Sequence, residues 1–288
     1  MGVDQVITAR RRDLGGFSVR RVLPDSSARM IGPFIFFDHL GPLTLAAGAG
    51  LDVRPHPHIA LATVTYLFSG SIVHRDSLGS VQRINPGDVN WMTAGSGIVH
   101  SERSPEDERS RGVVAHGIQS WVALPDGREE DAPDFQHHAC ASLPCVSSPG
   151  VELRVIAGEA FGRRSPVRVL WPTLYVDMHV AAGARVEIGA HYADQACYVA
   201  EGETDVAGVR GAVGELLILA GGAAVTLAAV RSARVILLGG ERFATPRLIW
   251  WNFVSSSRER IDRARRQWAA GGFAPVPGES EFIPLPAE

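Results

Sequence analysis

RPHPHIALATVTYLFSG, residues 54–70, is the stretch that decides how this chain folds. It opens with His56 and His58 two positions apart, runs on through β-branched and apolar residues, and closes on Ser69 and Gly70. Side chains at i and i+2 of a strand point to one face, so both imidazoles share a direction. A second stretch, NPGDVNWMTAGSGIVHSER at residues 85–103, repeats the device with His100 and Glu102 at the same spacing. Between the pairs, Pro86, Gly87 and Asp88 predict a tight turn into VNWM, and Ala94 to Gly97 predicts another. Such turns let a small barrel reverse direction and present a ligand-bearing strand inward.

If the two pairs lie on neighbouring strands, three imidazoles and one carboxylate aim at one point. That donor set suits Fe, Mn, Ni, Cu or Zn. Four protein ligands on an ion that prefers octahedral geometry leave two positions for water, O2 or a chelating substrate. A His-x-His pair alone is weak evidence; followed by two turns and a His-x-Glu pair it is strong. Isolated histidines have a plainer reading, so His39, His74, His116 and His179 are expected to be packed or surface residues. His137 and His138 fall in an expected linker and read as exposed.

Around these motifs the texture is β. Short runs recur at Val64–Phe68, Val151–Ile156, Leu174–Val180 and Ala233–Leu238, punctuated by 31 Gly and 18 Pro. This spacing predicts sandwiches or barrels rather than βαβ units. No GxGxxG opens a helix, so a dinucleotide-binding fold is not indicated. One helix is expected near the end, where Ser256 and Glu259 form a capping-box pattern ahead of RERIDRARRQWAA and Gly271–Gly272. The IWWNFVSSS segment before it reads as a strand or aromatic anchor.

At 288 residues the chain suits two domains. The charged, Pro- and Gly-bearing stretch at 126–149 reads as a linker between domains at 1–125 and 150–288. The halves echo each other weakly. YLFSG (66–70) and NPGDVNW are matched by YVAEG (198–202) and VGELLIL, and aligning Gly87 with Gly214 puts Leu227 at the place of His100 and Ala229 at that of Glu102. Upstream, His191 has no second histidine two residues away. The second copy is therefore expected to lack the polar cluster.

Composition narrows the chemistry. Hydrophobic residues make up 45% of the chain and the net charge is −3, which indicates a globular protein with no field favouring nucleic acid or an anionic membrane. All 28 basic residues are Arg, which excludes Schiff-base lysine chemistry and a P-loop lysine. Cys140, Cys145 and Cys197 give no CxxC pair and read as reduced thiols. No long apolar run follows Arg10–Arg12, and Leu216–Val230 is too short to span a bilayer, so a cytoplasmic protein is expected. Ser96 lies in no GxSxG elbow, and PEDER at 105–109 reads as a solvated loop rather than a glycosidase carboxylate pair.

The segments IGPFIFFDHLGP (31–42), RPHPHIALATVTYLFSG (54–70), HRDSLG (74–79), NPGDVNWMTAGSGIVHSER (85–103) and WWNFVSSSRERI (250–261) resemble the pirin family of bicupins. The resemblance implies an all-β chain of two tandem cupin, jelly-roll-like β-barrels with a C-terminal α-helix and metal in the N-terminal barrel only. It implies His56, His58, His100 and Glu102 as ligands to one divalent transition metal, Fe(II) first, with Mn, Ni, Zn or Cu as alternatives. Some members resemble quercetin 2,3-dioxygenases, which would make the partners a small aromatic substrate and O2, with Glu102 as catalytic base. Phe36, Ile59 and Trp91 are then candidate pocket residues. Other members are described as non-catalytic regulators that bind proteins, the alternative expectation.

Overall fold

The computed structural model describes residues 2–286. Strands dominate, and they group into two compact units, each built from two separate parts of the chain. One unit takes the chain up to His39 together with Ala141–Phe243; the other takes Leu40–Cys140 together with the chain from Ala244 onward. This differs from the contiguous halves expected at 1–125 and 150–288. The reason is strand pairing: Val3–Thr8 runs antiparallel to Glu215–Leu219, so the N-terminus completes the sheet of the later copy. The expected linker is also structured in part, because Asp134–His138 pairs with Val89–Thr93.

In the first unit the sheet order is Val3–Thr8, Glu215–Leu219, Asp194–Val206, Val225–Gly240, Thr173–Val180, Val151–Ala157, Cys145–Ser148. Arg185–Ile188 pairs with the long Val225–Gly240 strand, and Val209–Ala212 with Asp194–Val206. The pairings are antiparallel, and alternate residues such as Val155, Val176, Leu217, Val235 and Leu237 turn inward to an apolar core. Leu227 and Ala229 are buried in that core, as the internal echo predicts. Bending is concentrated where Asp194–Val206 slips register against Val225–Gly240. There Gly202 has φ +76° and a Cβ would meet the Ser232 carbonyl oxygen at 2.0 Å, so only glycine fits.

The second unit has two antiparallel sheets. One contains Asp134–His138, Val89–Thr93, Leu61–Ser69 and Val113–Ala123 in that order; the other runs Asp52–His58, Ile98–Arg103, Ile72–Asp76, Val81–Ile84. Both expected turns form: Asp88 N donates to the Asn85 carbonyl (3.0 Å), and Gly97 N to that of Ala94 (2.9 Å). The PEDER stretch is not a loop: after Pro105 it enters the helix Glu106–Arg111, and its buried Glu108 accepts from Ser71 N and Oγ at 2.8 Å each.

The long helix spans Arg258–Ala269. Its cap is Ser257, one residue later than expected, whose Oγ accepts from Arg260 N. At the other end Gly271 N bonds the Trp268 carbonyl and Gly272 N that of Gln267, a Schellman closure with Gly271 at φ +68°. Among the described residues no helix is long and apolar enough to cross a membrane.

The first unit carries one buried ion pair whose effect on stability can be signed. Arg234 donates to both carboxylate oxygens of Asp177, at 2.9 and 2.5 Å. Burial pushes the Asp177 carboxyl up, but hydrogen bonds from His179 and Arg234 outweigh it and hold the group at about 2, against 3.8 ordinarily. Because the folded value is depressed, this stabilisation is complete above about pH 4 and is lost as pH falls through about 2. Asp177→Asn is expected to lose about 2 kcal/mol at neutral pH. In urea unfolding, the gap between wild type and variant is expected to shrink between about pH 5 and pH 2; a gap independent of pH contradicts the assignment.

Candidate metal centre

The Asp52–His58 strand lies antiparallel to Ile98–Arg103, with His100 directly opposite His56 and Ile98 opposite His58. On its other side Ile98–Arg103 pairs with Ile72–Asp76, placing His100 opposite Asp76 and Glu102 opposite His74. The i, i+2 spacing thus lands on real strands, and register brings the histidine pairs side by side. His56, His58 and His100 are all buried, and one ring nitrogen from each lies within 4.8 Å of the others. Ring centroids are 4.4 Å apart for His56–His100, 5.0 Å for His56–His58 and 5.1 Å for His58–His100.

Each imidazole is tethered through Nδ1. His56 Nδ1 lies 2.8 Å from the Arg54 carbonyl oxygen, and His58 Nδ1 3.1 Å from that of Asn252. A carbonyl can only accept, so both rings carry their proton on Nδ1 and keep the Nε2 lone pair. His100 Nδ1 faces His74 Nδ1 at 3.4 Å, and His100 Nε2 is buried with no hydrogen-bond partner. An orphaned buried nitrogen beside two other imidazoles fits a metal ion: the chemistry is right, and the tethering is what metal-binding histidines require.

Protonation supports the same conclusion. Burial lowers His56 to about 4, despite its carbonyl partner. Burial, then the neighbouring imidazoles, holds His58 and His100 well below the usual histidine range. Three neutral rings at neutral pH are three available lone pairs.

Glu102 does not join the three-histidine group. It is buried on the same strand, but the pairing with Asp52–His58 slips register between His100 and Glu102. Its carboxylate is bonded by Thr65, whose Oγ1 is 3.0 Å from Oε1, and by the Gln119 side chain. Burial raises the Glu102 carboxyl above its ordinary range, against these hydrogen bonds.

Residues that sequence reasoning passed over complete the surroundings. His74 is fully buried and stacks on Phe135, with centroids 4.5 Å apart and planes 10° apart. His74 and Asp76 form a third pair at i, i+2, which was the available signal. Trp121 packs edge-on against His58 at 5.1 Å. His137 and His138, expected to be exposed, are half-buried in a strand, with His137 Nδ1 2.8 Å from Asn90 Oδ1. Of the suggested pocket residues, Ile59 packs with Phe253, Ile261 and Ala264, and Phe36 lies in the other unit beneath the Arg21 guanidinium. Trp91 is buried on the Val89–Thr93 strand.

The Asn252 carbonyl that orients His58 sits at the tip of a hairpin between Leu248–Trp250 and Phe253–Ser255, with Trp251 at φ +52°. Glu129 pins this hairpin by accepting from Ser255 Oγ (2.5 Å) and Ser256 N (2.8 Å). Arg247, with a fully buried side chain, donates to the Leu124 carbonyl at 2.8 and 3.0 Å and pairs with Glu129 at 3.2 Å. The aromatic segment read as an anchor therefore also supplies a polar atom to the site.

Comparison with known proteins agrees with this geometry. The family model Pirin matches residues 16–122, and the Pirin C-terminal cupin domain matches residues 175–274. The chain belongs to the pirin family. This pirin has two cupin domains. It is 48% identical over 288 residues to the pirin-like protein of Caulobacter vibrioides, covering 99% of each chain. A crystal structure of quercetin 2,3-dioxygenase from Acinetobacter baumannii is similar with a TM-score of 0.92 and 36% identity, over 99% of this chain and 95% of that one. A second structure of that description, from the same organism, gives 0.89 and 25% identity, over 95% and 98%.

Two outcomes follow for the centre. Bound metal, read by elemental analysis of the purified protein, is expected to be about one ion per chain and to fall toward zero in His100→Ala. Arg247→Met is expected to destabilise the chain by about 3–5 kcal/mol, because it strands Glu129 without its buried partner. It should also weaken metal binding by loosening the Asn252 carbonyl. Unchanged metal affinity in a destabilised Arg247→Met would separate the hairpin from the centre.

Proposed function

We propose that this pirin is a metal-dependent dioxygenase acting on flavonols such as quercetin, or on related enediol-type aromatics. In this reading His56, His58 and His100 hold one divalent transition ion, iron first, and the partners are a small aromatic substrate and O2. The observation that carries it is the buried group of three neutral, tethered imidazoles, in a chain similar along nearly its full length to quercetin 2,3-dioxygenase structures.

When bound, the ion supplies Lewis acidity toward a substrate hydroxyl and a redox centre for O2. The chain's own contribution is positional and acid–base. The three imidazoles stay neutral because they are buried, and oriented because their Nδ1 atoms are occupied. Glu102, in the same interior, is assigned as the acceptor of the substrate's hydroxyl proton and as the remaining candidate ligand. Its proton affinity, raised by burial, suits it to take that proton. Thr65 has a single hydroxyl proton and lies 2.7 Å from Gln119 Oε1 as well as 3.0 Å from Glu102. It can therefore shift its bond from one acceptor to the other as Glu102 gains or loses a proton. Trp121, packed against His58, excludes water from that side.

Anaerobic purification, metal identification and parallel recording of flavonol absorbance and O2 uptake test the proposal. Wild type is expected to consume flavonol and O2 together, and His100→Ala to consume neither. Glu102→Gln is expected to keep its metal and lose about 10²–10⁴-fold in turnover. Full turnover in that variant removes Glu102 as the base. Metal without consumption of any flavonol or enediol favours the non-catalytic, protein-binding reading instead.

A further inference from the structure

We infer that His74 is a positioning residue: with Asp76 it fixes the tautomer of His100, directing the His100 lone pair toward His56 and His58. The inference rests on the reading of those three histidines as a metal centre, but it concerns bonds within the chain and can be tested separately.

The chain of bonds starts at Asp76, which is fully buried. Its Oδ1 accepts from two backbone donors, Leu78 N at 2.9 Å and Ser80 N at 3.0 Å. Its Oδ2 lies 3.0 Å from His74 Nε2. An ionised carboxylate only accepts, so the His74 proton sits on Nε2 and its Nδ1 presents a lone pair. That Nδ1 faces His100 Nδ1 at 3.4 Å, at the long end of hydrogen-bond range. Two nitrogens can bond only if one donates, so His100 must carry its proton on Nδ1. Its Nε2 is then bare, which matches the buried Nε2 found without a partner. Stacking on Phe135 fixes the His74 ring plane, so the relay cannot be escaped by rotating that ring away. His56 and His58 obtain the same tautomer from backbone carbonyls; His100 obtains it from a side-chain pair.

This logic makes Asp76→Asn a sharp probe. The two backbone N–H groups hold the oxygen of the new amide at the Oδ1 position, so its NH2 turns toward His74 Nε2. A donor there drives the His74 proton to Nδ1, which then opposes the proton on His100 Nδ1. His100 can relieve the conflict only by moving its proton to Nε2, the nitrogen that would bind metal. His74→Asn should be benign by contrast, since its side-chain oxygen can still accept from His100 Nδ1. His74→Phe removes the acceptor altogether.

Long-range ¹H–¹⁵N NMR of histidine-labelled, metal-stripped full-length chain reads each tautomer, with His100 assigned from the signal lost in His100→Gln. Wild type and His74→Asn are expected to show His100 protonated at Nδ1, and Asp76→Asn to show it at Nε2. Chelator competition with Ni(II) should find affinity about 10–100-fold weaker in Asp76→Asn and His74→Phe, with His74→Asn near wild type. The inference is overturned if wild-type His100 carries its proton on Nε2, a result that needs no variant to fold. It is equally overturned if Asp76→Asn leaves that tautomer unchanged. Absence of Ni(II) binding by wild type with the expected tautomers would instead sink the metal reading and leave the relay standing.

Discussion

Burying imidazole nitrogens beside one another is the constraint around which the second unit is organised. A buried polar atom without a partner costs about 1–3 kcal/mol, and His100 Nε2 is such an atom. An apolar side chain there would be cheaper for folding alone. The arrangement therefore makes physical sense only with something that accepts lone pairs, and neutral imidazoles select a cation over a proton when burial has already made protonation unfavourable. The strand pairing and the hairpin under His58 are what place and orient the rings.

What holds them comes from well-separated parts of the chain. His56 is tied to its own strand through the Arg54 carbonyl, His58 to a hairpin nearly two hundred residues later, and His100 to the strand alongside. The C-terminal region adds another tie. Glu279 accepts from Ser101 and Arg103, the residues on either side of Glu102, and Ile283 N bonds the Pro55 carbonyl next to His56. The stretch that follows Phe243 therefore belongs physically with the earlier copy, in one compact unit with Leu40–Cys140. Rigidity at the centre is distributed over several covalently distant supports, none of which is a metal ligand.

This distribution also explains what could be read from sequence and what could not. Strand periodicity and the two spaced pairs were legible because they are local: i, i+2 geometry needs only a strand, and the turns at Asn85–Asp88 and Ala94–Gly97 need only their own residues. The pairing of His100 with His56 followed once those strands were neighbours. His74 is packed, as its isolated place in the sequence predicts, but its position opposite Glu102 and against His100 arises from register, which no local pattern encodes. The register slip between His100 and Glu102 is likewise a property of the paired strands that the His-x-Glu spacing alone does not encode. The spatial grouping of the chain departs from its order along the sequence for a related reason. The linker-like composition at 126–149 reports polarity and turns, whereas membership of a unit is decided by partners such as Glu215–Leu219 for Val3–Thr8.

The two copies show how little sequence separates a binding centre from a plain core. Both keep the glycines that turn their strands, Gly70 and Gly202 at φ +73° and +76°, Gly87 and Gly214 at φ +81° and +90°. Where the echo aligns His100 and Glu102, the other copy has Leu227 and Ala229, both buried among Val and Leu side chains. A lone imidazole in that apolar interior would have neither the opposed pair on a neighbouring strand nor the His74–Asp76 support, so it would incur desolvation with nothing to offset it. An apolar core is therefore the stable arrangement there. In the earlier copy His56, His58 and His100 each have such a support, through the Arg54 carbonyl, the Asn252 carbonyl and His74.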